Sequence, residues 1–482
     1  MTQDVAREVL AQLPLADATL QLWSWFAAKD HLDDLFGRLR GRQYTRELTF
    51  PVLVHLIADA LIQHRGSGRR SFLRGAERGF LTTSRQSVYD KLGQLAMPLS
   101  EAFLAEGTQR LLPLLPPAPV GPPTVPVSLR AFAVYLVDGK VVKRVAKLLK
   151  PLRGQKGGVL GGKALVALHV QSKLAVVMAS VADGEVNDAK LVPALLPQVA
   201  RALPGPRSAV LDSQFCDLTR TSRLAEQGDH FVVRAHPKVH FHPDAQASHA
   251  GTPAGGSGVD AGGRRWTQDW GWLGTPGRAT SRYVRRVTLH RADGPALTVY
   301  TDLLDPVAFP AADLLVLYRG RWGIEQVFQQ ITEVFDLRSL IGTTPEGTVF
   351  QLSFCLLLYN LIQVVRAQVA AGAGLAPDVV STELLYEDVR RQLTSRAEVV
   401  GLDRAAGLLE QPVTGTWTPA GLREYLASRL GKVWTERWRK AVNKKPRSHV
   451  AKPHARDHTS VHRILEEQCL RPKPHHKVTD SP

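Results

Sequence analysis

The sequence predicts an α/β protein: a mixed-sheet core, preceded by a helical region and followed by a helical, basic one. Three observations predict it. Apolar runs of strand length recur between residues 131 and 234 and alternate with stretches of helical periodicity. Residues 113–126, PLLPPAPVGPPTVP, hold enough proline to forbid helix and strand alike, which marks a boundary. Before that boundary the patterns are helical in several short pieces.

In chain order, residues 48–62 (LTFPVLVHLIADALI) form an apolar helix opened by Thr49 and Pro51. A basic turn, Arg65-Gly66-Ser67-Gly68-Arg69-Arg70, leads into a two-helix unit whose second member is capped by Ser84. That unit resembles a helix-turn-helix with Arg85, Gln86, Ser87 and Lys91 outward, and makes 1–112 a candidate DNA-binding domain. After a linker at 113–127, strands are expected at 131–142, 163–170 and 174–181, the first interrupted by Asp138-Gly139. A helix capped by Asn187 or Asp188 follows, then strand 208–211, helix 218–227 and strand 230–234. This first part of the core spans 128–240.

Residues 241–310 are expected to be a β-rich insertion, with a Gly-, Ala- and Ser-rich looping stretch at 243–263 and a hairpin of 282–290 with 297–302. The core resumes at 311–372. There 315–340 reads as one amphipathic helix with Tyr318, Arg321, Glu325 and Thr332 on a common stripe, and 352–365 as a buried helix behind it. From 373 to 482 the chain is helical and then basic. Its last 52 residues hold 13 Lys+Arg against 5 Asp+Glu, a net of +8 that reads as a flexible, phosphate-seeking tail.

The composition narrows the function. Apolar residues make up 44% and charged residues 22%, which is globular and excludes a disordered or membrane-embedded chain. No apolar run reaches the roughly 18 residues of a span, and MTQDVAREVL lacks a signal-peptide core. Cys216, Cys355 and Cys469 form neither a disulfide framework nor a zinc pattern, so a reducing cytoplasm is expected. Lys+Arg exceed Asp+Glu by 61 to 44, a net of +17, which favours a polyanionic partner, most simply nucleic acid.

Three carboxylates stand out. Asp138 interrupts an apolar strand, where an unpaired ion would cost several kcal/mol. Asp212 ends a second strand at the edge from which side chains reach a cleft, and Glu325 lies on the helix with Tyr318 and Arg321. Converging, they would hold two hard divalent cations, Mg²⁺ by preference with Mn²⁺ as the alternative, for phosphoryl displacement. Turn chemistry for the two aspartates and an Arg321–Glu325 helix pair are the competing structural readings. Lys140, Lys143, Lys147, Lys150, Arg153, Lys156 and Lys163 follow the first acid, either as phosphate contacts or as a solvated loop. Trp266, Trp270, Trp272 or Trp322 could stack on a displaced base, or pack in the core.

Taken together, YLVDGK around Asp138, ADGEVNDAKLVPALL, AVLDSQF around Asp212, GDHFVVR and LYRGRWGIEQVF resemble the bacterial DDE transposases of the family named after insertion sequence 4. The resemblance covers most of residues 30–370. It implies an RNase H-like core and a catalytic, metal-binding triad of Asp138, Asp212 and Glu325. It further implies DNA phosphate contacts by Tyr318 and Arg321, favours one by Arg234, and makes 241–310 an insertion over the active site. The implied activity is Mg²⁺-dependent cleavage and strand transfer at the ends of a mobile element. The implied partners are double-stranded terminal repeats and target DNA, with a homodimer bridging two ends in the bacterial cytoplasm, at the nucleoid. A structure-specific nuclease and an inactive DNA-binding relic or repressor are the alternatives. Two positions depart from the family's pattern: its signature lysine is Thr332 here, and Ser213-Gln214 replaces the usual Arg-Gly after the second acid. On this reading Thr332→Lys would restore a phosphate contact.

Overall fold

The computed structural model describes residues 11–470 except 42, 44–46, 118–123, 144, 148, 248–254, 293, 401–416 and 442–457. His454, the side chain of Cys469 and the residues after 470 therefore lie outside what is described.

Among the described residues six helices precede the sheet: α1 Pro14–Phe26, α2 Lys29–Leu39, α3 Phe50–Ile62, α4 Gly68–Glu77, α5 Arg85–Gly93 and α6 Met97–Leu111. The caps read from the sequence hold. Thr49 Oγ1 accepts the Val52 amide at 3.4 Å and Ser84 Oγ accepts the Ser87 amide at 3.1 Å.

The first five strands are β1 Ala133–Lys143, β2 Gly158–His169, β3 Ala175–Val181, β4 Arg207–Leu211 and β5 Asp229–Arg234. Helix α7 Val192–Ala202 precedes β4, and α8 Leu218–Glu226 precedes β5. β1 and β2 pair antiparallel, β3 pairs antiparallel with β2, and β4 pairs parallel with both β1 and β5. The lateral order is therefore 3-2-1-4-5, a mixed sheet with helices on its faces, which fits the RNase H-like expectation. Asp138-Gly139 do not interrupt β1. The ladder runs through them, because backbone pairing with Val166 and Leu165 is indifferent to the side chains.

Beyond β5 the sheet continues through β6 Phe241–Pro243, β7 Gly256–Val259, β8 Arg265–Leu273, β9 Arg282–Leu289 and β10 Leu297–Thr301. The insertion is thus an extension of the core sheet through the antiparallel β5–β10 pair. The looping stretch expected at 243–263 contains β7 and the end of β6, since both find partners on β8.

The stripe-bearing helix is two helices, α9 Ala311–Arg319 and α10 Trp322–Glu333, divided at Gly320-Arg321. Behind them runs α11 Pro345–Gly372, much longer than the 352–365 expected. It is long and apolar enough to cross a membrane, yet its most apolar window is 100% buried in this core. Asn360 ties it to both neighbours, donating to Thr108 Oγ1 and to the Ala175 carbonyl, each at 2.8 Å. Hence α1–α6 share one apolar core with α11 and one sheet face.

Helices α12 Thr382–Val400 and α13 Pro419–Leu430 follow. The basic tail is partly ordered against expectation. β11 His458–Ser460 pairs parallel with Gly158–Leu160 of β2, and α14 Val461–Leu470 places Val461 and Ile464 against Val145, Leu152 and Val159. Arg463 secures it through ion pairs to Asp183 (2.9 Å) and Glu185. Of the tail histidines, His462 faces Glu466 at 3.2 Å.

Candidate active site

Strand parity decides where the acids point. Along β1, Val134 and Leu136 face the core shared with α10 and α11, while Tyr135 and Val137 face the core under α7 and α8. Along β4, Val210 faces the first core and Ala209 and Leu211 the second. Val137 and Leu211 are register partners in the parallel pair. Asp138 and Asp212 are the next residues, so they stand side by side on the face toward α10.

Glu325 occupies the first turn of α10, and Arg321 Nη2 donates to its Oε1 at 2.7 Å. Tyr318 ends α9, and its hydroxyl donates to Asp212 Oδ1 at 3.5 Å. The break at Gly320-Arg321 thus delivers Tyr318 and Glu325 to one cleft from two helices.

Each aspartate oxygen Oδ1 accepts the next backbone amide, Gly139 N at 2.9 Å and Ser213 N at 2.8 Å. Among the described residues neither Asp138 nor Asp212 has an ion pair. Burial pushes the Asp138 carboxyl up to about 6. The Gly139 amide and the Arg321 charge oppose that shift, while Glu325 and Asp188 add to it. Burial pushes Tyr318 up to about 12, with Asp212 adding and Arg321 and Arg234 opposing, so Arg234 shares this field. Burial works against the Arg321 cation, but Glu325, Asp212 and Tyr318 outweigh it and hold the guanidinium more firmly charged than usual.

The Asp138 shift has two checkable consequences. Between its ordinary value near 3.8 and about 6 the unfolded chain releases a proton that the folded chain keeps, so stability falls as pH rises through that window. Asp138→Asn removes the penalty. We expect it to melt a few degrees higher than wild type at pH 8 in chelator, and no higher at pH 4. A divalent cation that took this carboxylate as a ligand would have to displace its proton, so Mn²⁺ uptake should weaken as pH falls below about 6, as a metal titration at several pH values would read.

The donor set is all carboxylate oxygen, which suits a hard divalent cation, and a buried carboxyl without a counter-ion is the group such a cation would stabilise. Among the described residues, however, no three His, Cys, Asp or Glu side chains lie close enough together to hold a metal. Glu325 is paired instead with Arg321, at 2.7 Å.

The remaining candidates divide. Arg234 and Lys143 are exposed, the first at the end of β5 and the second at the end of β1. Lys140 reaches α10, donating to Thr332 Oγ1 at 2.9 Å and to the Phe328 carbonyl at 3.3 Å. Its ammonium therefore already lies beside position 332. That overturns the expected gain from Thr332→Lys, which would set two ammonium groups together. Lys163 is no phosphate contact here; it pairs with Asp188 at 3.0 Å. Arg85 is exposed on α5 as expected. Lys91 is not: its ammonium donates to the Leu48 carbonyl at 2.6 Å and lies over the Phe36 ring, because its position on α5 points back toward α3. Trp270 is buried and donates to the Leu304 carbonyl, while Trp322 is 59% exposed beside Arg321.

The sequence reading missed Asp188 and Gln214 as neighbours of the acids. Gly139 was the available signal, because a glycine inside a strand can mark a close approach.

Residues 132–361 match the family model for a transposase DDE domain. The match runs from just before β1 into α11, and so takes in Asp138, Asp212 and Glu325. Outside it lie the N-terminal helices and everything after the middle of α11. The chain is also similar to curated proteins named as transposases. Over 81 residues, 17% of this chain and 22% of the relative, it is 33% identical to "Putative transposase y4zB" of Sinorhizobium fredii. Over 154 residues, 32% of this chain and 38% of the relative, it is 25% identical to "Probable transposase for insertion sequence element IS5377" of Geobacillus stearothermophilus. The alignments thus span well under half the length of these relatives.

Proposed function

We propose that the protein is a DDE transposase, of the insertion sequence 4 type, that cleaves DNA at the ends of its own mobile element and joins them to target DNA. One observation carries the reading. Two aspartates from adjacent parallel strands share a face beneath a helix that presents Glu325, all within the matched DDE domain. Asp138, Asp212 and Glu325 would hold Mg²⁺ or Mn²⁺, which supplies Lewis-acid activation of water or a 3′-hydroxyl and stabilises the departing oxygen. Arg321 then does two things: it holds Glu325 away while DNA is absent, and it offers a guanidinium to the phosphate when Glu325 moves to the acids. Tyr318 hydrogen-bonds Asp212 and fixes its orientation. Arg234, Lys140 and Lys143 supply further phosphate contacts around the cleft.

The exposed Arg69, Arg70 and Arg74 of α4 with Arg85 of α5 form a basic surface suited to terminal repeats. We expect Arg85→Ala to weaken binding to the element's ends and to lower the salt slope by about one. Lys91→Ala, whose charge is used internally, should leave that slope unchanged; filter binding across a salt series reads both. Two copies bridging two ends would work in the cytoplasm, on the nucleoid.

The deciding experiment uses full-length protein, labelled element ends and a Mg²⁺ titration. Cleavage with joined product supports transposition. Cleavage without joining would make this a nuclease, and a gel shift without cleavage at any Mg²⁺ concentration would make it a DNA-binding relic.

A further inference from the structure

On the sheet face opposite the acids, one carboxylate links the two segments that carry the aspartates to the neighbouring strand β2. Asn187 Oδ1 accepts the Ala189 amide at 2.9 Å and closes a tight turn that places Asp188. The Asp188 carboxyl then lies directly against Gly139, the residue after the first acid, where any side chain would collide with all three of its carboxyl atoms. Its Oδ2 accepts Gln214 Nε2 at 3.2 Å, from the turn that follows Asp212. Its Oδ1 pairs with Lys163 of β2 at 3.0 Å, and Lys163 also donates to the Val186 carbonyl at 2.6 Å. Both side chains of that pair are about 15% exposed, so the contact is largely shielded from solvent screening. Parity agrees: Lys163 and Gly139 fall on the face of Leu165 and Val137, opposite Asp138.

We propose that Asp188 is a positioning residue for the acid pair: bound to Gln214 and Lys163 and packed on Gly139, it sets the separation of Asp138 and Asp212 from behind the sheet. The proposal rests on the reading of those acids as metal ligands. It gives Gly139 and Gln214 a reason. The glycine is required because β1 and the Asp188 turn touch there, and the glutamine is the partner through which the turn after Asp212 is held. Two adjacent strands fix the acids only at their backbones. A link from mid-β1, at Gly139, to the turn after Asp212 fixes the piece that strand pairing leaves free, where an error of about 1 Å is costly for a shared ion.

The test is Mn²⁺ binding to the full-length protein, followed by the electron paramagnetic resonance signal of free ion, alongside the Mg²⁺ dependence of cleavage. Asp138→Asn and Asp212→Asn report whether the acids hold the ion. Asp188→Ala and Gln214→Ala are expected to raise the half-saturating Mn²⁺ concentration about tenfold, with DNA binding unchanged. The double variant should be no worse than Asp188→Ala, since both remove one link. Asp188→Asn, which keeps the shape and the acceptor for Gln214, should stay within about threefold of wild type. Gly139→Ala should match Asp188→Ala alone but add nothing on top of it, because the carboxylate it strikes is then gone. If wild type and Asp138→Asn take up Mn²⁺ alike, the metal reading falls and this proposal with it. If the aspartate variants lose Mn²⁺ while Asp188→Ala and Gln214→Ala bind as wild type, the metal reading stands and the positioning role is overturned. Additive losses in the double variant would overturn it as well, and the mild Gln214→Ala, checked by circular dichroism, keeps the result clear of misfolding.

Discussion

Asp138→Asn, Asp212→Asn and Glu325→Gln each lower cleavage of element ends by about 10³-fold or more, while gel-shift affinity changes less than about twofold. The size follows from what each group does. Removing one ligand charge from a pair of bound cations weakens both the activation of the attacking oxygen and the stabilisation of the leaving one. Binding should be spared because the exposed arginines proposed to meet the duplex lie elsewhere, on α4 and α5. The three variants should differ in one respect. Asp138→Asn also relieves a buried carboxylate and should be the most stable of them without metal, whereas Glu325→Gln loosens Arg321. Wild-type cleavage in any one variant removes that residue from the triad.

Lys140→Ala lowers cleavage about 10²-fold, the scale on which loss of one charge-stabilising donor is felt, and Thr332→Lys lowers it too. Lys140 lies two residues past Asp138 on the same strand face, and burial pulls its ammonium below the usual lysine range. Among the described residues it has no carboxylate within ion-pair distance, only the Thr332 hydroxyl and the Phe328 carbonyl. Its charge is thus held in place without a carboxylate partner, as the proposed phosphate contact requires. A second ammonium at 332 would repel the first in a half-buried setting and displace both. Moving the charge instead, as Lys140→Thr with Thr332→Lys, should recover most of the activity. Substrate with a neutral methylphosphonate at the scissile position provides the control: there Lys140→Ala should cost little more. A full 10² loss on neutral substrate would mean that Lys140 serves only to brace α10.

Much of this was legible in the sequence because it depends on local pattern. The strands of the core show as apolar runs, Thr49 and Ser84 as caps, Asp138 as a charge within an apolar strand and Asp212 as one at the end of another. What escaped depends on contacts between distant segments. The division of α9 from α10 at Gly320-Arg321 leaves the helical periodicity of 315–340 nearly intact, so the sequence reads as one helix. Lys91 and Lys163 look like solvated cations until Leu48 and Asp188 are brought beside them, across 43 residues in the first case. β7 consists of Gly256, Ser257, Gly258 and Val259, and is a strand only because β8 offers it a free edge.

The parallel seam between β11 and β2 bears on how the protein is made. The β2 residues Gly158–Leu160 complete their pairing on that side with a segment some 300 positions downstream, and the apolar patch of Val145, Leu152 and Val159 is closed by Val461 and Ile464. A nascent chain emerging from the ribosome must therefore keep this flank of its sheet open until residues 458–464 have been made. Products of frameshifts or premature stops ahead of residue 458 are left with a raw sheet border, ready to stick to other chains.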